Sequence, residues 1–181
     1  MIDLTSTPII ILAILGSVGV ALPVINIGLK EKGSVISYGV ATLIALFASI
    51  GYVLYQLVLD HVAPAALFSQ DVLVDDAFGA LFAIAMLIVA IFTTVGSFNY
   101  MKNKDNPSIY FSLILLSAIG MVLVAYSTDL VMLFIAWELM SIPTYVLVGF
   151  LKKDPISNEA AIKYFLFGAL SSAIIIYGIS L

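Results

Sequence analysis

The chain has 181 residues, 63% of them hydrophobic and only 10% charged, with a formal net charge of −4 and a mean hydropathy of +1.21. A soluble domain would be about a quarter charged, so the composition is that of an all-α, polytopic integral membrane protein. Cysteine is absent and His61 is the single histidine, which excludes iron–sulfur clusters, thiolate chemistry and most haem or zinc sites from this chain. The small, dispersed net charge suggests no nucleic-acid partner, and the partner that the composition does require is the lipid bilayer.

In chain order, six apolar runs are long enough to cross a membrane. The expected helices are roughly 8–29, 34–59, 76–100, 107–126, 130–151 and 159–181, forming a single transmembrane domain over 1–181. Met1-Ile2-Asp3-Leu4 lacks the positive start of a secretory signal. Pro8 suits the first turn of the first helix, and Pro23 is expected to kink its end. Lys30 to Gly33 forms a polar turn. Asp60 to Asp75 is the longest connection and holds His61, read as a solvated residue. Asp76 is placed to cap the third helix, with Asp75 as a second cap or a proton exit. Pro107 suits the start of the fourth helix, Asp129 caps the fifth, and Ser157 or Asn158 is expected to cap the sixth.

Small residues recur every fourth position: Ala13, Ser17 and Ala21 in the first helix, Ala41, Ala45 and Ser49 in the second, Gly168 and Ser172 in the sixth. Such spacing permits close helix packing in lipid.

The lysines set an orientation. Lys30 and Lys32, Lys102 and Lys104, and Lys152 and Lys153 occupy the first, third and fifth connections, and the second and fourth contain none. By the positive-inside rule the lysine-bearing loops are cytoplasmic (or on the matrix or stromal side of an organelle) and both termini are outside.

One carboxylate falls at membrane depth. The run LVMLFIAWELMSIPTYVLVGFL, residues 130–151, carries Glu138 about nine residues in, roughly 13 Å from the outer end. A charge there costs several kcal/mol and marks a functional group by default. Burial raises a carboxyl pKa and a nearby cation lowers it, so a buried Glu beside a movable cation can titrate near neutral pH, as a proton relay must. The other reading is a structural pin, a protonated Glu hydrogen-bonded to a neighbouring helix. Pro143 removes one backbone hydrogen bond and frees the Leu139 carbonyl, which with Ser141 and Thr144 can hold water. Ser141 and Tyr145 lie three and seven residues beyond Glu138, on its helical face.

Lys163 is the second buried-charge candidate, although a lysine near a helix end can snorkel to the interface. Counted from the shared cytoplasmic end, Lys163 is about five residues deep and Glu138 about 14, an axial offset of about 13 Å. A direct salt bridge between straight helices is therefore not expected. Trp137 is read as packing beside Glu138. Tyr164 and Tyr177 either line a polar path or pack.

The segment from Tyr126 to Tyr177 carries a resemblance. Asp129-Leu130, then W-E-L-x-S-x-P-x-Y over Trp137 to Tyr145, then K-K-D…N-E-A-A-I-K-Y over Lys152 to Tyr164, then Gly168-Ala169-Leu170-Ser171-Ser172-Ala173 resemble the antiporter-like membrane subunits of respiratory complex I. Within that family they are most similar to subunit N (known as subunit 2 in mitochondria, with a plastid equivalent) and to its counterparts in F420H2 and ferredoxin dehydrogenases. Val74 to Gly79, V-D-D-A-F-G, is similar to the family's opening of its third helix.

The resemblance implies that the six helices correspond to the N-terminal part of a fourteen-helix subunit. It implies that Glu138 matches an essential glutamate whose protonation is coupled to a lysine on a later helix, and that Lys163 matches a lysine of the sixth. It further implies a proton-translocating complex moving electrons from NADH, F420H2 or ferredoxin to a quinone or methanophenazine, in an energy-transducing membrane, most simply a prokaryotic plasma membrane. This subunit would hold no cofactor, and the flavin and iron–sulfur clusters would reside in partner subunits. Two other readings stay open: a non-pumping structural membrane subunit, and a subunit of a multisubunit Na⁺/H⁺ antiporter.

Overall fold

A computed structural model describes residues 6–28, 34–59 and 72–181. It contains six helices: α1 (Thr7–Gly28), α2 (Val35–Val58), α3 (Ala77–Met101), α4 (Pro107–Tyr126), α5 (Leu130–Val148) and α6 (Pro155–Ser180). Each is long and apolar enough to cross a membrane. His61 and the lysine turn at 30–32 lie outside the described residues.

Side-chain caps define most of the helix starts. Ser34 Oγ accepts from the Ile36 amide, Asp76 from Gly79 and Asp129 from Met132. Each satisfies an amide that the first turn leaves without a partner. Asp75 does a different job from its neighbour: its Oδ2 accepts from the Thr7 amide at 2.8 Å, capping α1 from the approach to α3. The sixth helix departs from expectation. It starts at Pro155 with Asp154 as its cap, not at 159 after Ser157 or Asn158. Proline at the first position has its φ preset and needs no donor. Ser157 and Asn158 instead donate to the Val148 and Lys152 carbonyls, closing the end of α5, which stops at Val148.

α4 is the centre of the bundle, packed by α1, α2, α3 and α5, whereas among the described helices α6 touches only α5. Phe111, Leu115, Ala118 and Val122 of α4 are buried against Ile11 and Leu15 of α1, Leu46 of α2 and Ala83 and Leu87 of α3. The small-residue stripes divide. Ala45 and Ser49 of α2 are buried, but Ala13 and Ser17 of α1 face outward, and α1 buries Ile11, Leu15, Gly19 and Leu22 instead. Pro23 sits inside α1, which continues to Gly28. A short antiparallel bridge, Leu73 with Ser127, ties the approach to α3 onto the α4–α5 turn, with Val74 N donating to Tyr126 O at 3.0 Å.

Candidate functional site

Glu138 lies eight residues past the first residue of α5 and ten before the last, about 12 and 15 Å from the two ends. It is half-buried and faces α6, where the Ser172 hydroxyl donates to its Oε1. Ser172 is the one buried residue of α6. A serine hydroxyl both donates and accepts. It can therefore hold the carboxylate when ionised and the carboxylic acid when protonated, with no change of partner.

The α5–α6 seam has a defined register. A Cβ on Gly149 would lie 2.8 Å from Ala161 Cβ, and one on Gly168 would lie 2.6 Å from Tyr145 Cζ, in direct conflict with its phenol. Gly168 and Ser172 thus form a stripe of small residues that receives Tyr145 and Glu138. Tyr145 also packs edge-on against Tyr164, ring centroids 5.0 Å apart, and against Phe165 at 5.7 Å. Thr144 Oγ1 reaches the Tyr164 hydroxyl at 3.5 Å.

That register separates Glu138 from Lys163. Because α6 starts earlier than expected, counting from the helix ends would bring the two almost level. The first two turns of α6 overhang the end of α5, however, and the residue level with Glu138 is Ser172. Lys163 lies nine residues before Ser172, about 13.5 Å along the axis. Its ammonium bonds Glu159 at 2.5 Å, and both side chains are about two-thirds exposed. The structure therefore brings Glu138, Tyr145 and Ser172 together along one seam and places Lys163 apart from them.

On its other side, α5 is pressed onto α4. A Cβ on Gly120 would meet the α5 backbone, 2.6 Å from Met140 Cα and 2.8 Å from the Leu139 carbonyl carbon. Only glycine lets the two backbones approach this closely. Hydroxyls serve the carbonyls around the buried Pro143: Ser117 donates to Met140 O at 3.1 Å, Ser141 to Trp137 O at 2.8 Å and Thr144 to Ser141 O at 2.7 Å. Ser141 and Thr144 are thus committed as donors within their own helix, while their lone pairs remain as acceptors. Trp137 does not pack inside this bundle: it is 40% exposed.

Residues 127–181 match the family described as NADH:quinone oxidoreductase/Mrp antiporter, transmembrane. This segment spans α5, α6 and the whole Glu138–Ser172 seam. Relatives extend the match along the chain. NADH-quinone oxidoreductase subunit N of Desulfitobacterium hafniense is 36% identical over 185 residues, covering 99% of this chain and 35% of its own length. The chain is a relative of the antiporter-like membrane subunits. F420H2 dehydrogenase subunit N of Methanosarcina mazei is 37% identical over 114 residues, 63% of this chain and 23% of that protein. In three dimensions the chain matches a subunit of respiratory complex I from Thermus thermophilus, solved with aureothin bound. The TM-score is 0.72 at 27% identity, covering 94% of this chain and 35% of that one. The chain thus spans about a third of the length of its full-chain relatives.

Sequence reasoning missed two members of the site. Ser172 was legible only as a small residue, and Gly120 carried no signal. Antiparallel register would have found Ser172: from the Gly149–Ala161 contact, Glu138 lies eleven residues back and Ser172 eleven residues on.

Proposed function

We propose that this chain acts as a proton-translocating, antiporter-like membrane component of a quinone- or methanophenazine-reducing oxidoreductase complex, with Glu138 as its midplane proton relay. It holds no redox centre of its own. Flavin and iron–sulfur subunits would supply the electron transfer, and other membrane subunits would flank this one in an energy-transducing membrane. The lysine-bearing connections face the cytoplasm and both ends of the chain face outward, as the positive-inside rule requires.

The observation that carries this reading is the placement of Glu138. A single carboxylate sits at mid-membrane depth, bonded to a hydroxyl that can serve both of its protonation states. Lys163 takes a secondary part toward the cytoplasmic end, and Ser141, Pro143 and Tyr145 support the seam. Glu138 therefore exchanges its proton with a cation outside this six-helix unit.

The test is Glu138→Gln in the assembled complex, with proton uptake measured in inverted membrane vesicles alongside electron transfer. Glutamine keeps a hydrogen-bonding partner for Ser172 and removes only the titration. The relay reading expects uptake to fall by tenfold or more while the complex still assembles. Unchanged uptake would leave Glu138 as a structural pin and the chain as a scaffold. The Na⁺/H⁺ antiporter reading is separated by asking whether redox subunits co-purify with the chain.

A further inference from the structure

The end of the bundle that carries the lysines holds a cavity of about 550 Å³ between the α3–α4 and α5–α6 connections. Its polar wall includes Lys104, Lys152 and Lys153, and its apolar wall includes Ile109, Val146 and Phe150. Asp105 and Asp154 also line it, leaving one more positive than negative charge. Asp154 is already engaged, since its Oδ1 accepts from the Ile156 amide at the start of α6. Lys104 is held at the rim, its ammonium 5.3 Å from the centre of the Tyr100 ring.

The cavity also meets the N-terminus of a long helix. Asn106 precedes α4 in the left-handed region, φ 57°, and its side chain makes no capping bond. Helix starts elsewhere on the described chain have a side-chain oxygen on their amides, whereas the first turn of α4 presents its positive dipole end without one. The location matters as much as the charge. The cavity opens where membrane-length helices end, so it lies at the headgroup level of a bilayer, where basic pockets between helices select anionic lipids.

We propose that this cavity binds the phosphodiester headgroup of an anionic phospholipid, with Lys104, Lys152 and Lys153 on the phosphate and Ile109, Val146 and Phe150 against the glycerol and upper acyl carbons. A free phosphate would use the lysines and leave the apolar wall uncovered, whereas a lipid uses both. The assignment rests on the six membrane-length helices and is independent of the role of Glu138.

The test is native mass spectrometry of the full chain released from nanodiscs containing equal amounts of phosphatidylglycerol and phosphatidylcholine. Bound phosphatidylglycerol is expected to exceed bound phosphatidylcholine by about fivefold, the factor that the cavity's one net positive charge contributes. In K152Q/K153Q the ratio falls to within about twofold of unity. K30Q/K32Q removes the same charge from another lysine-bearing connection and should leave the preference intact. Equal retention of both lipids by the unaltered chain would overturn the site. So would equal loss in both double variants, which would mean diffuse surface attraction. Displacement of the lipid by millimolar inorganic phosphate would reassign the cavity to a free anion.

Discussion

Ser172 donates its hydroxyl to Glu138 across the α5–α6 seam, and this is the polar bond that the structure gives the mid-membrane carboxylate. The bond accounts for the one buried position on an otherwise outward-facing helix. It also locates the difficulty that a proton relay through Glu138 would meet. In a medium without water an unpaired carboxylate is expensive, so the proton can leave only if a second stabilising group approaches.

Ser172→Ala tests that bond. Removing a hydrogen bond to a charged or partly buried group costs about 1.5–3 kcal/mol, and the half-buried position of Glu138 argues for the lower end. Thermal unfolding in detergent should show a loss of about 1–2 kcal/mol for S172A. Combining it with Glu138→Leu, which unlike glutamine leaves Ser172 no partner, should give less than the sum, because both changes remove the same interaction. Additive losses would mean that the two residues do not act as a pair.

Gly120→Ala tests the other support of Glu138. The added carbon meets the Met140 and Leu139 backbone, which has no flexible end to move away, so α5 must shift off α4. Overpacking of this kind costs about 1–3 kcal/mol. Gly168→Ala meets only the outer end of the Tyr145 ring, which can turn aside, so it should be the milder change. Thermal unfolding of the two variants should rank G120A below G168A, and the reverse order would contradict the packing described.

The six spans were legible because polar connections, lysine-bearing in the first, third and fifth, punctuate apolar runs. The faces of those helices were not. In α1 nearly every residue is apolar, so nothing in the pattern separates Leu15, which is buried, from Ala13, which faces outward; amphipathic contrast, the usual guide, is absent. Trp137 was misplaced for the same reason. The start of α6 was ambiguous because Asp154, Ser157 and Asn158 are all capping residues, and Pro155 decides among them. Glu138 stood out as a charge without neighbours to match it, whereas Ser172 depends on helix register, which a single sequence does not encode locally.

Lys163→Gln separates function from stability. Lys163 is paired with Glu159 one turn away on the surface of α6, both largely exposed. Exposed pairs at this spacing contribute only about 0.3–0.5 kcal/mol, so K163Q should unfold within about 0.5 kcal/mol of the unaltered chain. If Lys163 passes protons from the cytoplasmic side toward Glu138, uptake by the assembled complex should drop severalfold without that loss of stability. Uptake at the original level would remove Lys163 from the relay.

Topology is open to direct test because the chain has no cysteine, so any introduced thiol is the sole one. Asn103, in the α3–α4 connection, and Thr128, in the α4–α5 turn, are both exposed and sit at opposite ends of α4. Lysines flank Asn103, and none lies near Thr128. The positive-inside rule therefore puts Asn103 in the cytoplasm. In intact cells or right-side-out vesicles, Thr128→Cys should react with a membrane-impermeant maleimide and Asn103→Cys should not. Inverted vesicles should exchange the two results. If Glu138 relays protons, the same orientation sets their direction: Lys163, toward the lysine-bearing end, would lie between Glu138 and the proton source. If Asn103→Cys is labelled from the outside, both the topology and that order are reversed.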